Sequence, residues 1–282
     1  MVEGEELKKL IINADDFGIT EKVNRAIFDL VDEGLLSSTT VMTNMPYYEE
    51  IQDLKGRIGI GIHFNLTTGR PVNQRDMVST LVDSNGHFFK LSELLKRMKA
   101  KKLSSEEIEN ELAAQIENLL KIGIKPDHID SHESLIKYPL FSGIIRRVAK
   151  RYGISGVRTY TPLKIKFEYL LRPRKVLVLL YLHYQKMLWK SAGFSVTDRY
   201  DSLIEKNLTH QRAISKVREI FQNFSRGVLE LGVHPGYPED SDALGGYRKE
   251  RAVELQVLRD NEFKRYIQNG DVSLISYQDI HL

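Results

Sequence analysis

Short apolar segments alternate with amphipathic helical patterns along most of this chain, and this alternation constrains the fold more than any other feature. Strands are predicted at residues 10–14, 39–43, 58–64, 128–131, 156–160, 228–233 and 272–276. Helical patterns lie between them; Ile108, Leu112, Ile116 and Leu119, for example, are spaced as one face of a helix. Strands that alternate with helices form a mostly parallel sheet covered by helices. The sequence therefore predicts an α/β fold of about seven βα units, in one domain over residues 1–282.

Residues 161–200 interrupt this alternation. Within 161–190 there are seven lysines and arginines and one acid, Glu168, which gives the segment a net charge of +6. An apolar run from Val176 to Leu182 lies in the same stretch. We interpret the segment as an inserted helix that packs on the sheet. The alternatives are a lid over the active site and a surface that contacts acidic lipid.

Composition excludes several classes of protein. The 282 residues include 41 basic and 38 acidic side chains, a net charge of +3, and no cysteine. A disulfide scaffold, a thiolate nucleophile, a zinc–thiolate site and an iron–sulfur cluster are therefore excluded. Because the excess of positive charge is confined to one segment, we do not expect nucleic-acid binding. The acidic N-terminal residues do not resemble a signal peptide, and no apolar stretch approaches the ~18 residues of a membrane span, so we expect a cytoplasmic protein without transmembrane segments.

Titratable side chains collect where four predicted strands end. They are Asp15 and Asp16 after the first strand, His63 in the third, His128, Asp130 and His132 in the fourth, and His234 after the sixth. In a parallel α/β barrel, catalytic groups lie at this end of the strands. Each signal also has an ordinary structural explanation. The aspartate pair can cap a helix, a single histidine can be part of the core, and a His-x-Asp-x-His pattern can form a hydrogen-bonded cluster.

The combination favours a hydrolytic metal site. One carboxylate and two imidazoles from three strand ends form an oxygen–nitrogen site with open positions for water and substrate. A second carboxylate can act as general base and a further histidine as general acid. The other four histidines are assigned no chemistry; they are His87, His183, His210 and His281.

Five motifs carry a resemblance to a known family. The segments INADDFG, GIHFNLT, LVDSNGHFF, HIDSH and VHPGY resemble those of the YdjC-like carbohydrate deacetylases, which include the chitooligosaccharide deacetylases. The resemblance extends over residues 11–237, with a plausible continuation in YRKERAVELQVL. It implies a distorted TIM-like (β/α) barrel, with 161–200 as an insertion, that hydrolyses N-acetyl groups on amino sugars with a divalent metal. Mg²⁺ is the metal that the resemblance favours, and Zn²⁺, Co²⁺ or Mn²⁺ also suit oxygen and nitrogen ligands.

The resemblance also implies roles for individual residues. Asp16, His63 and His132 would bind the metal, Asp15 would be the general base and His234 the general acid. His128 and Asp130 would orient the ligands, and Asn65 and Arg158 would contact substrate; a structural ion pair is the alternative for Arg158. One departure concerns the sugar contacts, because members of the family often continue HIDSH into a His-rich run, whereas here Glu133-Ser134-Leu135-Ile136 follows.

Two other functions remain open at this stage. A metal-dependent hydrolase of another bond, such as a phosphoester, would use the same barrel, and a catalytically silent sugar-binding protein would explain the missing His-rich run. The expected partner is a small N-acetylated sugar. A homodimer and a weak contact with a membrane surface are compatible with the sequence.

Overall fold

The structure is a computed structural model that describes residues 8–165, 167–269 and 272–280. The described strands are β1 (Lys8–Phe17), β2 (Ser38–Val41), β3 (Gly59–Phe64), β4 (His128–Ser131), β5 (Gly156–Val157), β6 (Ser195–Val196), β7 (Arg199–Ser202), β8 (Val228–Val233) and β9 (Val272–Leu274). All of them join one sheet, and each strand pairing is parallel. The α/β prediction is therefore confirmed, and all seven predicted strands are present.

The sheet curls into an incompletely closed TIM-like barrel. Its strand order is β6-β5-β4-β3-β2-β1-β8-β7, with β9 paired to the first residues of β1. The two edge strands, β6 and β7, follow each other in the chain; β6 lies inside the segment interpreted as helical, residues 161–200, and β7 begins at its end. That interpretation missed them because it assigned the whole segment to the helix that its apolar run indicates. Between β7 and the segment after β5, Tyr200 N donates to Thr161 O at 2.9 Å, which partly spans the gap.

Helices cover the outside of the sheet. They are α1 (Glu21–Asp32), α2 (Leu91–Lys99), α3 (Ser105–Lys121), α4 (Pro139–Arg151), α5 (Phe167–Leu170), α6 (Pro173–Ser191), α7 (His210–Asn223), α8 (Arg248–Leu258) and α9 (Asn261–Gln268). Three of them, α1, α3 and α7, begin after a capping residue. The hydroxyls of Thr20, Ser104 and Thr209 accept hydrogen bonds from backbone N–H groups of the first turn. The fold thus leaves the carboxyl ends of β1, β3, β4 and β8 at one end of the barrel.

The barrel interior is layered by polarity. Aliphatic side chains fill the space between sheet and helices, whereas charged groups lie inside the barrel, among them Asp130, Arg158 and Glu230, each at most 2% exposed. Burial of charge is costly unless the groups are paired and hydrogen-bonded. This buried charged layer forms the floor of the site described next.

Candidate metal centre

A cavity of about 640 Å³ opens at the carboxyl ends of the strands. Asp15, Asp16, His63, His132 and His234 all line it, so the structure brings together the residues to which the sequence assigned metal binding and acid–base chemistry. Further lining residues are Lys137, Arg158, Tyr160, Tyr200, Leu244 and Arg251. Two other surface depressions, one beside Lys55 and Asp127 and one beside Lys164 and Glu219, lack this concentration of aspartates and histidines, so the chemistry points to this cavity as the candidate site.

The end of β1 presents two adjacent carboxylates to the same cavity. Neighbouring residues of a regular strand point to opposite faces. Here the register shifts between Ala14 and Phe17, and Asp16 has a φ of 68°, in the left-handed region. A non-glycine residue in this conformation costs about 1–3 kcal/mol and is found where function requires it. The irregularity is what allows Asp15 and Asp16 both to face the cavity.

Asp16, His63 and His132 form a group that fits a divalent cation. Asp16 Oδ1 lies 3.2 Å from His63 Nε2 and 2.8 Å from His132 Nδ1. One ligand atom from each residue lies within 4.8 Å of the others. Metal–ligand bonds of about 2.1 Å place neighbouring ligand atoms about 3 Å apart, which matches these separations. A carboxylate oxygen and two imidazole nitrogens suit Zn²⁺, Co²⁺ or Mn²⁺, and also Mg²⁺ with additional water ligands.

Two of these ligands, His63 and Asp16, are oriented by a further group. His63 Nδ1 donates to Asp130 Oδ1 at 2.6 Å, which directs Nε2 toward Asp16. Arg251 Nη2 donates to Asp16 Oδ2, which leaves Oδ1 facing the two imidazoles. Burial lowers the pKa of His63, but the Asp130 carboxylate outweighs this and raises that pKa to about 10. Burial raises the pKa of Asp16, yet His132 and Arg251 hold it well below its ordinary value, so Asp16 is ionised.

A second acidic and histidine group, made of Asp15, His63 and Asp130, has comparable spacing. Its two carboxylates are already held by Arg158, whose Nη1 and Nη2 donate to Asp15 at 2.6 and 2.7 Å. Nη1 also lies 2.7 Å from Asp130 Oδ2. Because the guanidinium already occupies oxygens of both carboxylates, the first group is the better cation site.

Arg158 is the centre of the buried charged layer. Besides Asp15 and Asp130 it contacts Glu230, with Nε donating to Oε1 at 2.7 Å, and Tyr277 donates to the other Glu230 oxygen at 2.5 Å. Burial alone raises the pKa of Asp15, but the Arg158 charge and hydrogen bonds hold it well below its ordinary value. Of the two readings of Arg158, the structural ion pair is the one that these contacts support.

His234 lies across the cavity, immediately after β8. Its backbone N–H donates to Glu254 Oε2 at 2.7 Å, and its Nε2 is 3.6 Å from Asp15 Oδ2. Burial lowers the pKa of His234 to about 4, so its imidazole is neutral at pH 7. Asp15 and His234 therefore form a neighbouring pair that can exchange a proton.

Comparisons with known proteins identify the family of this chain. The family model described as YdjC-like protein matches residues 9–269. The chain belongs to the YdjC-like family. A carbohydrate deacetylase of Geobacillus stearothermophilus is 32% identical over 96% of this chain and 97% of the relative, and one from Brevibacillus brevis (strain 47 / JCM 6285 / NBRC 100599) is 30% identical over 96% and 99%. A solved structure from Enterococcus faecalis V583, named for cellobiose-phosphate cleavage, has a TM-score of 0.78 and 27% identity, covering 98% of this chain and all of that one.

Two predicted residues of this YdjC-like protein lie away from the cavity. His128 contacts Asp127 through Nδ1 and stacks on Tyr277, with ring centroids 4.1 Å apart, so it touches neither His63 nor His132. Among the described residues it is linked to the site through Asn13, which accepts from His128 and donates to Asp15. Asn65 is fully buried, and its side-chain amide binds backbone groups of its own loop and Asn44. These contacts support an orienting role for Asp130 and a structural one for Asn65.

Sequence reasoning missed four charged residues of the YdjC-like site. They are Lys137, Glu230, Arg251 and Glu254. Arg251 and Glu254 lie in the YRKERAVELQVL segment, where their spacing of three on a helix was the available signal. Glu230 lies in the middle of an apolar strand, VLELGV, and a lone acid there indicates a buried partner.

Proposed function

We propose that this protein hydrolyses the acetamide of an N-acetylated amino sugar or chito-oligosaccharide and releases acetate. The observation that carries the proposal is the group of Asp16, His63 and His132, with Asp15 and His234 on the same cavity. Relatives that match almost the full chain are named carbohydrate deacetylases, which supports a sugar amide as substrate.

A divalent cation on Asp16, His63 and His132 would polarise the acetamide carbonyl and lower the pKa of a water molecule. The family resemblance favours Mg²⁺, whereas two imidazole ligands favour Zn²⁺ or Co²⁺ on chemical grounds. The metal requirement of the purified protein decides between them.

Asp15 and His234 supply the proton transfers in this proposal. Asp15 accepts the proton of the attacking water at a carboxylate oxygen. His234 must gain a proton before it can protonate the leaving amine, because burial keeps its pKa at about 4. Asp15 Oδ2 lies 3.6 Å from His234 Nε2, close enough to pass the proton on after a small movement. Arg158 holds Asp15 in place through both carboxylate oxygens and is therefore a positioning residue.

The direct test is acetate release from chito-oligosaccharides by metal-stripped protein to which Mg²⁺, Zn²⁺, Co²⁺ or Mn²⁺ is added back. His132→Ala should abolish metal-dependent release, whereas His87→Ala, an exposed histidine outside the cavity, should retain it. Full activity of His132→Ala or of Asp16→Ala would contradict the metal assignment.

The alternatives give different products in the same assay. Phosphate release from phosphorylated sugars without acetate release would favour a phosphoesterase, and sugar binding without any product would favour a silent binding protein. The cytoplasmic location expected from the sequence is part of the proposal, and fractionation of cells into cytosol, membranes and medium tests it.

A further inference from the structure

Exposed apolar side chains are concentrated in one part of the molecule. Among the described residues, twelve large apolar side chains are exposed, and eight of them lie between residues 165 and 187. The eight are Ile165, Phe167, Leu171, Leu177, Val178, Leu180, Tyr184 and Met187. Single exposed apolar residues are ordinary, but a contiguous set marks a surface that contacts something other than water. We call this set the apolar surface.

Helix α6 exposes apolar side chains of the kind that a helix on a soluble protein normally buries. Its buried residues are Gln185, Lys186 and Trp189, two of which are polar. Leu177, Leu180, Tyr184 and Met187, spaced three, four and three, are each more than half exposed and form a stripe on the opposite side. Helix α7 provides the contrast, because the residues it buries are all apolar.

The polar inner side of α6 is satisfied by the protein. Lys186 Nζ donates to the backbone and side chain of Asp198 at 2.9 and 3.2 Å, and Gln185 Nε2 donates to Lys137 O at 3.4 Å. The Trp189 ring packs edge-to-face on Phe194. These contacts fix the rotation of the helix, so the outward direction of the apolar stripe is set by the fold.

Positive charge surrounds the apolar surface. Arg172 and Arg174 are exposed at the start of α6 and Lys190 at its end. Residues 161–190 hold a single acid. A second copy of the chain docked on this surface would bring basic residues against basic residues in either orientation, whereas a negatively charged surface would complement them.

We propose that the apolar surface, flanked by these basic residues, binds the face of a lipid bilayer that contains acidic lipids. Exposed apolar side chains that enter the headgroup boundary, together with lysine and arginine beside them, are the features of helices that lie in a membrane interface. Within the described ranges no helix is both long and apolar enough to cross a bilayer, and the 19 residues of α6 include Lys175, Lys186 and Lys190. The helix therefore lies along the membrane surface.

This surface is connected to the catalytic cavity. The segment that carries it leaves the carboxyl end of β5, close to Arg158 and Tyr160, and its inner side contacts the backbone of Lys137. Lys137 and Tyr160 both line the cavity. Membrane binding would thus hold one wall of the cavity near the lipid headgroups.

The test is co-sedimentation of the full-length protein with vesicles of phosphatidylcholine alone or mixed with phosphatidylglycerol. We expect binding to the mixed vesicles that decreases as salt is raised, because the basic residues are screened. Leu180→Gln/Met187→Gln should reduce the partition coefficient by about tenfold or more, since two half-exposed apolar side chains no longer enter the lipid. The matched control, Leu120→Gln/Met77→Gln, changes the same residue types at exposed positions outside the surface and should bind like the wild type.

A charge variant, Arg172→Gln/Arg174→Gln, should lose the preference for phosphatidylglycerol. Trp189, the single tryptophan, is buried, and an unchanged emission maximum in each variant shows that α6 keeps its packing. No binding to acidic vesicles would overturn the proposal. So would equal binding by Leu180→Gln/Met187→Gln and its control Leu120→Gln/Met77→Gln. So would a dimer of the wild type that Leu180→Gln/Met187→Gln converts to monomer, because a second copy would then be the occupant. None of these measurements depends on deacetylase activity.

Discussion

Asp130→Asn tests how the proposed metal ligands are oriented, because it changes one atom and preserves the shape of the side chain. Asp130 Oδ1 accepts from His63 Nδ1 at 2.6 Å. Oδ2 accepts from Thr40 Oγ1 at 3.1 Å and lies 2.7 Å from Arg158 Nη1. Both carboxylate oxygens therefore face donors only, and a carboxylate satisfies all of them.

An asparagine cannot satisfy this arrangement in either orientation. With its NH₂ group toward His63, that ring must move its proton to Nε2, the atom that faces Asp16 and the proposed cation site. With the NH₂ group toward Thr40 and Arg158, the N–H donors of the asparagine face the N–H donors of the Arg158 guanidinium in a fully buried position. Loss of such an orienting partner lowers metal affinity by about 10–100-fold, equivalent to about 1.4–2.7 kcal/mol.

Isothermal titration of the metal-stripped protein with Zn²⁺ measures this affinity. Asp127→Asn is the matched control, because Asp127 also pairs with a histidine Nδ1, but that histidine, His128, faces Asn13 and Ser38 and not the cavity. We expect Asp127→Asn to bind Zn²⁺ like the wild type. An affinity of Asp130→Asn within twofold of the wild type, or an equal loss in Asp127→Asn, would refute the reasoning.

Two further predictions concern stability. Burial raises the pKa of Glu254 to about 8, so the folded state binds this proton more tightly than the unfolded chain does; the stability it contributes is complete below the ordinary carboxyl pKa and is lost as pH rises to about 8. Denaturant unfolding should therefore show the wild type losing about 1 kcal/mol per pH unit relative to Glu254→Gln between pH 5 and 8, and parallel pH profiles would contradict the assignment. Gly61→Ala should destabilise the protein by about 1–3 kcal/mol, because the new methyl group would lie 2.5 Å from His128 Nε2. Gly143→Ala is the control, because no atom lies within 4 Å of the methyl group it adds in α4; it should instead stabilise the protein by about 0.5–1 kcal/mol. Thermal melts of both variants measure these effects. A similar effect of the two substitutions would show that the ring of His128 can move aside.

The features that sequence predicted best are those set by local spacing. Strand ends bring Asp16, His63 and His132 to one edge of a parallel sheet wherever the strands pair in register, so their convergence follows from the βα pattern. Helix caps such as Thr20 and Ser104 likewise depend on neighbouring residues only. The two short strands β6 and β7 were missed because the apolar run of residues 176–182 indicates a helix, and the whole of 161–200 was assigned to that insertion.

His128 and Asp130 show what spacing cannot predict. Both point to the same side of β4, as a period of two requires, but His128 comes two residues earlier, about 6.6 Å deeper along the strand. At that depth its neighbours are Asp127 and Tyr277, contributed by the opposite end of the barrel, and only Asp130 reaches His63. Distance along the barrel axis therefore separates a residue that orients a ligand from one that packs the interior.

The electrostatics of the interior give a reason, independent of the ligand geometry, for a bound cation. Four fully buried carboxylates surround the floor of the cavity, from Asp15, Asp16, Asp130 and Glu230. Two buried guanidinium groups, those of Arg158 and Arg251, pair with them. In their ionised forms these side chains sum to −2, and uncompensated buried charge is strongly unfavourable. Without a metal, protonation of His63, whose pKa is raised to about 10, supplies part of the compensation. A divalent cation on Asp16, His63 and His132 would add positive charge at the same place with both imidazoles neutral, so the negative charge of the barrel interior favours the proposed metal.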